Sequence, residues 1–217
     1  PFIRNVHNTL MKWVKREKPK CVILIDYPGF NLRFARSLKK IHVPVVYYIS
    51  PQLWAWGKGR VKKIRKYVDK MVVLFPFEKT FYEKHGIRAD YVGHPMIDHH
   101  INFIPKEVKE FNGKNVLLGL LPGSRKHEVI SLLPRMVDTA RLLFEKGKIH
   151  KAELVRVGHL DLDLYNRFLV DGDDFINVVE APVHELYPRF DAAMVASGTA
   201  TLEAGLFRVP TLVVYHV

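Results

Sequence analysis

Val116-Leu117-Leu118-Gly119-Leu120-Leu121 runs directly into Pro122-Gly123-Ser124-Arg125, and from 129 to 146 the pattern becomes that of an amphipathic helix. An all-apolar run, a Pro-Gly-Ser turn and a helix-length stretch make one strand–turn–helix unit of a parallel sheet covered by helices. A strand buried on both faces has no polar side to show, which explains the unbroken run. The same unit recurs on either side. Residues 21–25, 45–49, 71–75 and 90–92 precede it as candidate strands; 153–157, 175–179, 192–196 and 211–215 follow it. Between these, 32–40, 58–70, 77–85, 162–169 and 199–207 read as helices, several closed by Gly or by basic residues. The chain shows no fixed-period repeat and no low-complexity tract.

The 217 residues are 48% hydrophobic and 26% charged, enough apolar side chain for one large core or two small ones, which excludes an intrinsically disordered protein. The charge is unevenly distributed. Residues 1–98 carry 20 basic and 7 acidic side chains, a net +13, whereas 99–217 carry 14 and 15, a net −1. A single cysteine, Cys21, excludes an internal disulfide and suits a reducing cytoplasm. No apolar stretch approaches the roughly 20 residues of a membrane helix, and the N-terminus lacks the pattern of a secretory signal, so a soluble or peripheral protein is expected. The chain starts at Pro1 and stops in Val213-Val214-Tyr215-His216-Val217, a stretch that reads as strand, so a piece of a longer gene product is expected.

Between 96 and 115, His, Pro, Asn, Lys and Glu interrupt the alternation as the charge balance changes sign. Two α/β domains are therefore expected, 1–98 and 99–217. In the candidate helix 58–70, Val61, Ile64 and Val68 form a narrow buried stripe, while Lys58, Arg60, Lys62, Lys63, Arg65, Lys66 and Lys70 make the remaining surface strongly positive. Just before it, Ser50-Pro51-Gln52-Leu53-Trp54-Ala55-Trp56 sets two tryptophans near Tyr47 and Tyr48, which reads either as core packing or as an amphipathic surface against lipid. Glu78, Lys79, Glu83 and Lys84 read as a solvated helix face.

In open α/β sheets the working residues occupy loops beyond the carboxyl ends of strands. Asp26-Tyr27-Pro28-Gly29-Phe30-Asn31 follows the first strand: Asp26 suits a general base for a hydroxyl, or else it caps the next helix or pairs with a cation. At Pro122-Gly123-Ser124-Arg125, Gly123 admits close backbone approach, Ser124 donates a hydroxyl and Arg125 presents a planar fork for phosphate oxygens, although such a turn is also an ordinary strand-to-helix connection. Ser197-Gly198-Thr199-Ala200-Thr201-Leu202-Glu203 exposes first-turn amides that favour an anion such as a diphosphate. Glu203, one turn in, either binds ribose hydroxyls or complements the helix dipole. Gly93-His94-Pro95 with Asp98, His99 and His100 invites a metal reading, but adjacent His99 and His100 diverge in most conformations. His94 reads either as a residue lining the cleft between the two domains or as a satisfied loop histidine.

Taken in order, Ile25-Asp26-Tyr27-Pro28-Gly29-Phe30-Asn31, Ser50-Pro51-Gln52-Leu53-Trp54-Ala55-Trp56, Phe75-Pro76-Phe77-Glu78, Val92-Gly93-His94-Pro95, Leu121-Pro122-Gly123-Ser124-Arg125 with Glu128, and Ser197-Gly198-Thr199-Ala200-Thr201-Leu202-Glu203 resemble the lipid-A-disaccharide synthase family. The resemblance spans almost the whole chain, and its specificity lies in the six elements occurring together in this order.

The resemblance implies a GT-B fold, two Rossmann-like parallel-sheet domains facing a cleft, both incomplete here: a glycine-rich first strand-loop is expected upstream of Pro1 and the end of the nucleotide domain beyond Val217. It implies an inverting glycosyltransferase of lipid A (lipopolysaccharide) biosynthesis that moves 2,3-diacylglucosamine from UDP to 2,3-diacylglucosamine 1-phosphate, giving a β-1,6 disaccharide and UDP. Asp26 would be the base. Gly123, Ser124, Arg125 and the 197–201 helix start would hold the diphosphate, Glu203 the ribose, and Asn31 and His94 would line the cleft. UDP-2,3-diacylglucosamine is then a substrate, with no cofactor and no metal. The first domain would receive the acceptor, with Lys58, Arg60, Lys62, Lys63, Arg65, Lys66, Trp54 and Trp56 meeting the acceptor phosphate and an anionic membrane. The expected location is the cytoplasmic face of the inner membrane of a Gram-negative-type bacterium, and the 217 residues by themselves are expected to be inactive. The alternatives are another UDP-N-acetylglucosamine enzyme of this fold, a peptidoglycan lipid transferase or an epimerase, and a basic nucleic-acid-binding domain. No recognised nucleic-acid motif accompanies the charge, and nucleic acid is not an expected partner.

Overall fold

Nine short strands, all paired in parallel, form two separate sheets among the residues described by the computed structural model, which are 2–55, 58–107, 109–111 and 113–216. The chain divides into two compact units, Pro1–Pro95 and Met96–Val217, where the sequence reading expects the change at 98/99.

The first unit contains α1 (Phe2–Glu17), β1 (Val22–Ile25), α2 (Pro28–Lys40), β2 (Val45–Tyr48), a 3-10 turn (Lys58–Arg60), α3 (Val61–Tyr67), β3 (Lys70–Val73), α4 (Pro76–Lys84) and β4 (Ala89–Tyr91). Its strands lie in the order β1-β2-β3-β4, with Leu24 beside Tyr47 and Tyr47 beside Met71. Each crossover steps in the same direction, and right-handed connections then put all the intervening helices on one face. Leu24, Val45, Tyr47, Met71, Val73 and Ala89 are buried beneath that layer in one hydrophobic cluster. On the reverse face Ile23 and Ile25 are 60% and 56% exposed.

The expected helix 58–70 is shorter. After the 3-10 turn it holds only Val61–Tyr67, and Val68 is already extended. Val61, Ile64 and Val68 are nonetheless buried as the stripe predicts. Lys70 belongs to β3 and pairs with Asp90 in the neighbouring strand instead of extending the basic helix. Helix α1 lies outside the elements read from sequence; only Val14 of its sixteen residues is fully buried.

The second unit begins within α5 (Pro95–His100) and continues through β5 (Leu117–Leu121), α6 (Lys126–Glu145), β6 (Lys151–Val155), α7 (Leu162–Asn166), β7 (Ile176–Val179), α8 (Val183–Leu186), β8 (Ala192–Ala196), α9 (Thr199–Leu206) and β9 (Thr211–Val214). Its strand order, β7-β6-β5-β8-β9, reverses at β5, so helices cover both faces. Leu118, Leu120, Ala152 and Met194 pack with α6 and α7, while Leu121, Ala193 and Val195 pack with Leu186, Tyr187, Phe190 and Phe207 on the other side. Gly119 sits opposite Phe190: a Cβ there would lie 2.5 Å from the ring, so β5 has room for no side chain at that point.

Candidate functional site

The reversal at β5 parts the loops that leave β5 and β8, and this is where open α/β sheets bind ligands. A cavity of about 320 Å³ opens there, lined by Gly123, Ser124 and Arg125 after β5 and by Ser197, Gly198, Thr199 and Ala200 after β8, with Glu203 one turn further on. Two stretches more than 70 residues apart in sequence, 123–125 and 197–200, thus share one wall. Thr201 is the exception: its hydroxyl turns back to donate to the Gly198 carbonyl at 2.6 Å.

Gly198 caps α9 without a side-chain hydrogen bond; the Thr201 amide turns back to the Gly198 carbonyl at 3.1 Å, and the start of the helix carries the positive end of its dipole, an arrangement suited to an anion. Tyr187, buried below, donates its hydroxyl to the Ala200 carbonyl at 2.8 Å and steadies that turn. Burial and the charge of Glu203 push the Tyr187 hydroxyl pKa far up, so it stays protonated as the donor.

The start of α6 is differently arranged. Glu128 accepts hydrogen bonds from the Ser124 and Arg125 amides, both at 3.1 Å, and from the Arg125 guanidinium at 2.5 Å. Burial works to raise the Glu128 pKa, but Arg125 and the two amides outweigh it and hold the carboxyl below the usual range. Gly123 is in the left-handed region, φ 107°, and a Cβ there would meet Glu128 Oε2 at 2.5 Å. The glycine therefore makes room for this carboxylate. Glu128, noted in the sequence only beside the Gly-Ser-Arg element, organises the whole loop, and its position three residues after the N-cap was the available signal. Arg125 remains 70% exposed and has further N–H groups for a ligand. The Ser124 carbonyl meets Nε2 of His159 at 2.9 Å, a contact nothing in the sequence indicated.

Glu203 has a neighbour that sequence reading considered only as a metal ligand. His100 is 3% exposed, and its Nε2 lies 3.5 Å from Glu203 Oε1 while the ring packs edge-on against Phe207. His99 and His100 stand edge to face at 4.7 Å. Among the described residues no three His, Cys, Asp or Glu side chains converge on a point that would hold a metal ion.

In the first unit the candidate residues cluster at the carboxyl ends of β1 and β2. Asp26 and Tyr27 are both in the left-handed region, φ 46° and 37°, which non-glycine residues adopt only at a cost. The surrounding bonds hold them there. Asn31, 8% exposed, donates to the Ile25 carbonyl at 2.9 Å and to the Asp26 carbonyl at 2.7 Å, and the Tyr47 hydroxyl donates to the same Asp26 oxygen at 2.5 Å. Asn31 thus holds the turn from beneath. The Asp26 side chain is exposed, α2 starts without a side-chain cap, and among the described residues no cation pairs with Asp26. It lines a cavity of about 270 Å³ with Ser50, Gln52 and Arg60.

That cavity's second wall is held from α4. Glu78, read from sequence as solvated, is 3% exposed: it accepts from Ser50 Oγ at 2.6 Å and from the Leu74 and Phe75 amides at 3.1 Å. Its place at the third position of α4 makes it a cap, which outweighs the charged pattern around it. Lys79 and Glu83 do lie on the outer face, 3.9 Å apart. Trp54 is 43% exposed and meets Phe77 edge-on at 5.1 Å; Phe77 stacks on Phe75, whose ring contacts His94 at 5.4 Å. His94 thus joins an aromatic group that includes Trp54. Trp56 lies outside the described residues, and only the backbone of Lys58 is described. Lys62, Lys63, Arg65 and Lys66 are exposed on α3, apart from the cavity that Arg60 lines.

Two parallel α/β units, the second with a glycine- and serine-lined crevice at its switch point, define a protein of the GT-B type. Solved structures of low sequence identity share the fold: a putative UDP-N-acetylglucosamine 2-epimerase from Listeria monocytogenes (TM-score 0.67, 17% identity, 97% of this chain and 61% of that one) and S. aureus MnaA in a UDP co-structure (0.62, 15%, 97% and 61%). The family model for lipid-A-disaccharide synthetase matches residues 1–217. Lipid-A-disaccharide synthases of Coxiella burnetii (strain Dugway 5J108-111) and Myxococcus xanthus (strain DK1622) are 39% and 40% identical to the chain over 99% and 100% of its length. The chain belongs to the lipid-A-disaccharide synthase family. It spans 57% and 58% of the length of those two relatives.

Proposed function

We propose that this chain carries the acceptor-activating and donor-binding residues of an inverting glycosyltransferase of lipid A biosynthesis. In this reading 2,3-diacylglucosamine passes from UDP to the 6-hydroxyl of 2,3-diacylglucosamine 1-phosphate, forming a β-1,6 bond and releasing UDP. The family match over residues 1–217 carries the reading. Inversion needs a base for the acceptor's proton and positive groups for the leaving diphosphate. Asp26, unpaired among the described residues and held on a strained turn, suits the base. Arg60 in the same cavity suits the acceptor's phosphate. The start of α9, with Ser197, Gly198, Thr199 and Ala200, suits the diphosphate with Arg125; Gly123 and Ser124 close that wall, and Glu203 suits the ribose hydroxyls.

The basic first unit suits an acidic membrane surface, with the exposed Lys62, Lys63, Arg65 and Lys66 supplying a diffuse attraction. No helix among the described residues is long and apolar enough to cross a membrane. The cytoplasmic face of a Gram-negative-type inner membrane is the location that fits both substrates.

The test is a mass-spectrometric assay of the full-length protein, wild type and Asp26→Asn, with both lipid substrates. Disaccharide phosphate from the wild type with a loss of about a thousandfold or more in the variant is expected. Equal product from both removes Asp26 as base. No product from folded wild type removes the proposed reaction and moves the search to other UDP-sugar substrates.

A further inference from the structure

One buried titratable side chain of the second unit, His100, takes no part in the proposed transfer chemistry. It closes α5, and its carbonyl accepts from the Phe103 and Ile104 amides at 2.8 and 3.1 Å, so the backbone that carries the ring is fixed. Phe103 in turn stacks on His184 of α8 at 4.0 Å. The His100 ring is held between His99 and Phe207, and Phe207 stacks on Tyr187, whose hydroxyl secures the Ala200 carbonyl. His100 lies outside the lining of the crevice, whereas Glu203, 3.5 Å from its Nε2, is part of that lining.

Two features give this contact a direction. Nδ1 of His100 is buried without a hydrogen-bond partner among the described residues. A proton on Nδ1 would be a buried donor with no acceptor and would turn the Nε2 lone pair toward the Glu203 carboxylate; a proton on Nε2 avoids both penalties. The ring therefore aims an N–H at Glu203. Glu203 itself is the fifth residue of α9, past the first turn in which the helix dipole has its main effect. Among the described residues no Lys or Arg pairs with it, and its side chain is 19% exposed. A carboxylate on a crevice wall, without a permanent cation and backed by a rigid buried donor, is arranged to accept hydrogen bonds from a ligand.

We propose that His100 is a positioning residue for the donor: it holds the Glu203 carboxylate toward the crevice, where the ribose hydroxyls of a nucleoside diphosphate donate to it. This rests on the assignment of Glu203 to the ribose and adds the group that sets its aim. Without the imidazole, Glu203 keeps its charge but loses the donor that fixes its rotamer, so the ribose contact weakens while the contacts to the diphosphate at 197–200 remain. His100 thus acts on the discrimination between ribose and deoxyribose and leaves the rest of nucleotide binding alone.

The test is calorimetric titration of the full-length protein with UDP and with 2′-deoxy-UDP, with thermal melts to verify folding. The variants are Glu203→Ala, His100→Leu, His100→Gln, whose amide can replace the Nε2 donor, and His100→Asn, which is polar but too short to reach. The wild type is expected to bind UDP about tenfold more tightly than 2′-deoxy-UDP, a preference lost in Glu203→Ala, His100→Leu and His100→Asn and kept in His100→Gln. If leucine unfolds the chain, the glutamine and asparagine variants carry the comparison. Equal weakening of both nucleotides in the leucine and asparagine variants would reduce His100 to a packing role and overturn the proposal. No preference in the wild type, or one that survives Glu203→Ala, would remove Glu203 from the ribose and overturn both assignments. A preference lost in Glu203→Ala but kept in His100→Leu and His100→Asn would overturn the role of His100 alone.

Discussion

In residues 1–95 four strands follow one another across the sheet in the order in which they occur in the chain, whereas in residues 96–217 the order reverses at β5. The first arrangement puts its helices on one face and leaves Ile23 and Ile25 largely exposed on the other. The second buries both faces and opens a crevice beside the central strand. The two candidate sites differ accordingly. In the second unit the fold makes the cavity, and modest side chains at helix starts line it. Among the described residues of the first the strands follow one another in order, and the site there includes a locally strained turn clamped by Asn31 and Tyr47. A site of the first kind should tolerate changes at single loop residues and fail when its sheet fails; one of the second kind should respond to loss of a single hydrogen-bonding side chain.

Gly119→Val is the most severe test of that contrast. It drives a side chain into Phe190 at the centre of β5 and should cost the second unit about 3 kcal/mol or more, with the crevice lost. Thermal unfolding followed by near-ultraviolet circular dichroism reads this directly, and a melting temperature within error of wild type would show that β5 is not the rigid centre described. Asn31→Ala should come next, at about 1 to 2 kcal/mol, because the part-buried Asn31 bonds to the Ile25 and Asp26 carbonyls are both lost, although Tyr47 still donates to Asp26. Hydrogen exchange should accelerate around 26–31 and leave the second unit unchanged; unaltered protection at that turn would break the idea that Asn31 clamps it.

The smallest effect expected is at Glu128. Its folded pKa lies below the ordinary value, so its stabilisation is complete above the unfolded pKa of about 4.3 and is lost as the pH falls through the depressed folded value. Glu128→Gln should cost about 1 kcal/mol at neutral pH, given the partial exposure of the pair, and should remove that share of the acid sensitivity. Parallel stability profiles for variant and wild type from about pH 6 to about pH 3 would contradict the clamp.

The strands were legible because parallel strands buried by neighbours must be apolar along their whole length, and each expected run overlaps a strand, although β3, β4 and β6 begin one or two residues earlier than read. Helix α1 was not legible, since one fully buried residue in sixteen leaves little periodic signal. The 58–70 helix was overextended because Val68 and Lys70 continue the helical spacing while β-pairing claims the chain from Lys70 onward. Glu78 was misread for the converse reason: a charged helix pattern hides a carboxylate turned inward onto two amides and a serine. In the candidate sites, the residues at strand ends could be named individually. Their partners Asn31 and Glu128 appeared in the sequence as a cleft residue and a motif companion, and His100 only as a possible metal ligand.

The sequence by itself determined two α/β units, the loops that bear chemistry and the excess of positive charge in the first half, because apolar periodicity, turn residues and charge are local properties. The tertiary structure alone decided which strand lies beside which. With that order came the meeting of Gly123, Ser124 and Arg125 with 197–200 at one crevice and the burial of His100 against Glu203. Strand order emerges from the handedness of crossovers and the competition of all strands for neighbours, and no stretch of a few residues encodes it.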